Sequence, residues 1–240
     1  MQLNERLYDR AGAAQSFASF NSPTTQAVDY DELKGVYNRL VRKTGPNRHL
    51  YDELLLSSER CPLCNVNRVK SLDHFLPKSL FPMLSVTPIN LVPVCSDCNH
   101  TKAEHFSRTP REILLHPYFD DVEAVTWLTA NVRETQPPSV VFGIDQNADL
   151  EPVVISRLEY HFDLLDLNTL YSIQAGSELS GVFNQHLETM NIGGSQALRD
   201  EIERASESRA DYDRNGWQAA FYTALGASDW YCERYFIQFL

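Results

Sequence analysis

The feature that most limits this chain is a pair of C-x-x-C knuckles, "CPLC" at 61–64 and "CSDC" at 95–98. Each knuckle offers two thiolates from one tight turn, and two knuckles together make the tetrahedral sulfur set that Zn²⁺ takes. Cys61, Cys64, Cys95 and Cys98 therefore read as ligands, and the fifth cysteine, Cys232, as a packed residue. With four sulfurs around it the ion has no open position, so it staples distant segments and does no chemistry. The rival reading is four buried cysteines without metal. Between and after the knuckles, "RVKSLDHF" alternates like a strand, and "LPKSLFPMLSVTPIN", with three prolines, reads as an ordered loop. "LVPVC" reads as a second short strand and "SDCNHTKAEHF" as a helix with Ser96 or Asp97 at its N-cap.

The segment between the knuckles carries a second set of polar residues. Asp73 and His74 are consecutive; on a regular strand they point to opposite faces, and only a strand end or a bulge aims both at one site. Asn99 lies in the first turn of the helix anchored by Cys98. Asp73 and Asn99 offer the oxygen donors that Mg²⁺ or Mn²⁺ prefers, and His74 is the residue type able to take a proton from water near neutrality.

In this order of elements, residues 61–102 resemble the HNH nucleases of the ββα-metal fold in their Cys₄ zinc-bearing form: "CPLC", "LDHFLPKS" at 72–79 and "INLVPVCSDCNHTK" at 89–102. The resemblance implies a metal-dependent endonuclease that hydrolyses phosphodiester bonds, of DNA by expectation. It implies that His74 activates the attacking water, that Asp73 and Asn99 hold the catalytic Mg²⁺ or Mn²⁺, and that Asn90 braces the loop and orients His74. Lys78 and Lys102, with Arg108 as a weaker candidate, are expected to meet substrate phosphates. His100 replaces Asn99 as ligand if the helix register shifts by one. His105 is a further weak phosphate contact, and His116 is expected to be a packed turn residue.

The fold class expected is α+β, mainly helical: an N-terminal helical segment over 1–58, the ββα unit over 59–110, and a mostly helical region over 111–240 available to a partner. The apolar spacing predicts helices over 28–42, stopped by Gly45-Pro46, and over 49–58; "PPSVVFGI" reads as a strand, 150–170 as strand or helix, and 171 onward as helix with a break at Gly193-Gly194. The tail "YFIQFL" reads as core.

The formal charge of −11 disfavours an extended nucleic-acid surface, since phosphate contacts come from Lys and Arg. Residues 60–111 run against it, with seven basic and three acidic residues, and the rest of the chain carries −15. A small basic patch in an acidic body implies substrate delivery by another protein. That layout, with "ILLHPYFDD" at 113–121, resembles small HNH proteins of bacterial anti-phage defence such as those of Septu-type systems, which act with an ATPase partner. Apolar runs such as "ILL" at 113–115 are far too short for a bilayer, and no secretory h-region opens the chain, so a reducing cytoplasm is expected. The alternative to an enzyme is a zinc-ribbon module that binds nucleic acid or protein without chemistry; it needs the cysteines but not Asp73, His74, Asn90 and Asn99.

Overall fold

The structure, a computed structural model, describes residues 2–21 and 30–240. It divides into two compact units: Met1–Asp120 with Ser156–Leu165, and Asp121–Ile155 with Asp166–Leu240. The fold is mainly helical, with one two-stranded antiparallel sheet in each unit.

In the first unit, α1 (Gln2–Ala13), α2 (Tyr30–Val41) and α3 (Arg48–Leu55) precede β1 (Ser71–His74), β2 (Leu91–Val94) and α4 (Ser96–Lys102). Val28 and Asp29, at the start of the helix expected over 28–42, lie outside the described residues. β1 and β2 pair antiparallel with Ser71 opposite Val94 and His74 opposite Leu91. Pro93, which has no N–H, faces Leu72, whose own N–H goes to the Tyr51 hydroxyl (3.3 Å) and whose carbonyl accepts from Tyr37 (3.5 Å). The proline therefore costs the ladder no bond at that pair. Tyr51, Leu72 and Leu91 form a small core on this side, covered by Tyr37, Leu40, Val41, Leu54 and Leu55.

A second, aromatic core gathers Tyr8, Phe17, Phe75 and Phe119 around His116, which is fully buried. Its Nε2 bonds the Tyr8 hydroxyl at 2.9 Å and its Nδ1 accepts from the Tyr118 N–H at 3.2 Å, so it is a packed turn residue held neutral. Burial, with Arg157 adding, pulls its pKa down to about 3. Gly12 is required by close approach: a Cβ there would sit 2.5 Å from the Phe119 ring. The segment after α4 is clamped by Arg157 from α5 (Pro152–Leu164), bidentate on Asp120 at 2.8 and 2.5 Å and bonded to the Ile113 and Leu114 carbonyls. Residues 152–164, ambiguous by pattern, are thus helical, with Pro152 at the first position where it is tolerated.

In the second unit, β3 (Leu128–Arg133) and β4 (Ser139–Ile144) form a hairpin packed by α6 (Leu167–Tyr212) and α7 (Trp217–Ala227). The break expected at Gly193-Gly194 is a kink: α6 continues through it, with Gly194 alone leaving helical geometry at φ 71. In the tail, Tyr235 and Phe236 are buried but Ile237, Phe239 and Leu240 are exposed, so only its first two residues are core. This unit carries seventeen acidic and six basic residues, the whole net charge of −11; all lysines lie in the first unit, which is neutral. Among the described residues no helix is long and apolar enough to cross a membrane.

Candidate functional site

The four knuckle cysteines are buried, and their sulfurs lie within 4.8 Å of one another. None is disulfide-bonded; Cys64 and Cys95, for example, stand 4.0 Å apart, twice a covalent S–S length. Zinc–sulfur bonds of 2.3 Å place tetrahedral sulfurs ~3.8 Å apart, so the cluster fits Zn²⁺ with little adjustment. The first knuckle is a turn closed by Asn65 N–H to Cys61 O (2.7 Å), with Asn65 left-handed at φ 51, and by Cys61 N–H to Asn67 O (2.8 Å). The second opens α4, where Cys95 itself is the N-cap: its sulfur accepts from Cys98 N–H at 3.4 Å, in the place expected of Ser96 or Asp97. Asn67 joins the two by donating to Asp97 (3.0 Å). Hydrogen bonding from Cys61 pulls the Cys64 thiol down to about 4, while Cys61 and Cys64 push the Cys98 thiol up. Sulfurs this close favour one thiolate at the expense of its neighbours until a cation joins them.

Behind the first knuckle, the Nε2–H of His161 donates to the Leu63 carbonyl at 2.7 Å, and its Nδ1 accepts from Leu115 N–H at 3.3 Å. Both ring nitrogens are used, which fixes the neutral tautomer; burial lowers its pKa.

β1 presents its two faces to different neighbours. Ser71 and Asp73 face α4, where Asn99 Nδ2 donates to Ser71 Oγ (2.8 Å) and Lys102 Nζ to Asp73 Oδ2 (2.8 Å). Two positions apart on a strand thus meet three apart on a helix. Lys102 is 2% exposed, and its ammonium also donates to the His74 carbonyl at 2.7 Å. The ammonium expected at a substrate phosphate thus lies on the strand beneath α4, with both of its bonds made to β1. Among the described residues no group bonds Asp73 Oδ1 or Asn99 Oδ1, and these are the oxygen types a hard cation takes.

Leu72 and His74 occupy the opposite face. The His74 ring lies 4.6 Å from the Tyr37 ring and is 5% exposed. Its Nε2 bonds the Ser85 carbonyl at 2.9 Å; a carbonyl only accepts, so the proton sits on Nε2 and Nδ1 keeps its lone pair. Burial pushes the imidazole pKa below its ordinary value, and the Lys78 and Lys102 charges push the same way. The strand is regular up to His74, its last residue, so the Asp73 and His74 side chains leave it on opposite faces, as alternation requires, while Lys102 bonds both residues through Asp73 Oδ2 and the His74 carbonyl.

Asn90, 0% exposed, closes the loop between the strands. Its Oδ1 accepts from Leu76 N–H (2.8 Å), and its Nδ2 donates to the carbonyls of Leu76 (3.1 Å) and Leu84 (3.3 Å), next to the Ser85 that anchors His74. Lys78 lies over the Tyr37 ring at 4.7 Å. Arg108 is not turned toward this site. Its guanidinium donates to Phe20 O at 2.6 Å and stacks near Phe106, while the residue stays exposed. His100 is exposed, whereas Asn99 faces the strand, so the register keeps Asn99 inward. His105 pairs with Tyr160. Tyr37, Ser71 and Ser85 join the site without having been singled out by sequence, since an aromatic on a helix face and two loop or strand serines carry no local mark of their partners.

No family model matches the chain, and no solved structure matches it. It is 38% identical over 160 residues to "Protein ea31" of Escherichia phage lambda, covering 64% of this chain and 54% of that protein. It is 33% identical over 72 residues to "Septu protein PtuB" of Bacillus thuringiensis, covering 28% of this chain and 27% of that protein. The chain therefore spans about half the length of the phage relative and about a quarter of the Bacillus one.

Proposed function

We propose that the first unit is a metal-dependent endonuclease of the HNH type, acting on DNA within a Septu-type defence system. The observation that carries the reading is the strand–strand–helix arrangement clasped by the four cysteines, which sets Asp73 and Asn99 on facing surfaces of β1 and α4. The partial likeness to a Septu protein supports the setting.

In this reading Cys61, Cys64, Cys95 and Cys98 hold Zn²⁺, and Asp73 Oδ1 with Asn99 Oδ1 would hold Mg²⁺ or Mn²⁺. That second ion supplies Lewis-acid stabilisation of the scissile phosphate and of the leaving oxygen. His74 is neutral at pH 7, with Nε2–H held by Ser85, and its Nδ1 lone pair accepts a proton from the attacking water. Asn90 keeps the Ser85 carbonyl in place by tying both ends of the loop, and so holds the tautomer. Lys78, beside Tyr37, is the cation that meets phosphate. The acidic second unit repels nucleic acid and leaves delivery to a protein partner, an ATPase in the systems resembled.

A binding module without chemistry is the second reading, favoured by the burial of His74 and by the Lys102–Asp73 pair. Plasmid cleavage in Mg²⁺, Mn²⁺ and EDTA, with wild type and His74→Ala, separates the two. A nuclease cuts in the metal ions, stops in EDTA, and loses cutting in the variant while keeping zinc and fold. Equal behaviour of the two proteins, or no cutting of DNA or RNA with or without the neighbouring gene's product, sinks the enzyme.

A further inference from the structure

We propose that Lys102 is a placeholder cation: its buried ammonium occupies Asp73 when no divalent ion is bound, and the ion must displace it to bind tightly. The inference rests on reading Asp73 and Asn99 as ligands of a divalent ion, and it adds a residue that sets how tightly that ion is held.

Three observations converge on it. First, the ammonium is 2.8 Å from Asp73 Oδ2 and 2.7 Å from the His74 carbonyl, at 2% exposure, with the Asp73 side chain only 14% exposed. A carboxylate so enclosed must be neutralised, and here the chain supplies the charge itself. Second, the carboxylate whose free oxygen, Asp73 Oδ1, would meet the ion is already neutralised by the ammonium on Oδ2, so a divalent ion added there is opposed by the positive charge of Lys102. Third, Lys102 is the last residue of a seven-residue helix and is followed by Ala103 at φ 44, ψ −126, a conformation costly for a residue with a Cβ. The inward turn of Lys102 therefore sits beside a strained backbone position that a shift of the helix end would relieve. Because the same ammonium bonds the His74 carbonyl, displacing it frees the main chain of the proposed base at the moment the ion arrives.

The test uses the full zinc-loaded chain and Mn²⁺ as the probe, with binding read by electron paramagnetic resonance. Lys102→Met should bind Mn²⁺ at least about tenfold more tightly than wild type, while Lys102→Arg should stay near wild type and Asp73→Asn should abolish the site. Equal or weaker binding by Lys102→Met overturns the proposal. Should that variant fail to fold, acetylation of the zinc-loaded wild type followed by mass spectrometry decides: Lys102 should be modified about tenfold faster in excess Mg²⁺ than in buffer without added Mg²⁺ or chelator, and an unchanged rate overturns it. Neither readout depends on cleavage, so a failed nuclease assay and a failed placeholder are told apart.

Discussion

Asn90→Asp is the substitution that most directly probes how the loop above β1 is built. The two side chains have the same shape, but the change replaces an NH₂ that donates to the Leu76 and Leu84 carbonyls with an oxygen that cannot donate. The bond from Leu76 N–H survives and the Leu84 carbonyl keeps the Thr87 N–H at 3.1 Å, but the Leu76 carbonyl loses the Asn90 donor and both carbonyls face a buried negative charge. An orphaned acceptor costs roughly 1–3 kcal/mol and the unpaired buried charge adds to it, so at pH 7 the variant should be about 2–4 kcal/mol less stable than wild type. The sign of the pH dependence is the sharper part. The new carboxyl has its pKa raised by burial and by the carbonyls, and once protonated it donates again. Its penalty is therefore full above that raised pKa and shrinks as pH falls through it, so the gap to wild type should narrow between pH 7 and pH 5. Urea unfolding followed by far-UV circular dichroism, with zinc retained, measures both numbers. A variant as stable as wild type at pH 7, or a gap that widens on acidification, would refute the reasoning, and with it the claim that Asn90 holds the anchor of His74.

Two further outcomes can be checked with the same equipment. Cys95→Ala should lower zinc content and unfold α4 first, because Cys95 is at once a ligand and the N-cap and alanine supplies neither; the loss of several kcal/mol expected of a structural zinc site would appear as a broad fall in melting temperature, and a full zinc complement would count against it. His116, held down to about 3 from an ordinary 6.5, contributes stability that is complete above pH 6.5 and lost as pH falls toward 3. Wild type should therefore lose about 2 kcal/mol between pH 7 and pH 5 that His116→Gln does not, and parallel pH profiles would reject that assignment.

What could be read in advance followed from short-range pattern. The knuckles, the alternation of "SLDH" and the three loop prolines mark two strands and a helix because each signal sits within a few residues of the element it makes. Partners far apart in sequence were not legible. Lys102 looks like a surface lysine, and nothing near it announces Asp73, 29 residues away. Arg108 looks like a phosphate contact until residues 18–20 offer it carbonyls. "VVIS" in α5 favours a strand by its branched side chains, and the contacts of Arg157 with residues 113–120 and of His161 with Leu63 in the first knuckle decide for helix. Cys95 was overlooked as a cap because thiols are not among the residues that usually serve there.

The separation of 37 positions from Asp120 to Arg157 has a consequence for biosynthesis. A ribosome working at 5–20 residues per second exposes the Asp120 carboxylate about 2–7 s before its guanidinium partner is made. During that interval the nascent metal-binding half lacks its closing clamp. Its maturation is thereby timed to follow translation of the inserted hairpin, and a message cut short ahead of codon 156 would release a product that never closes.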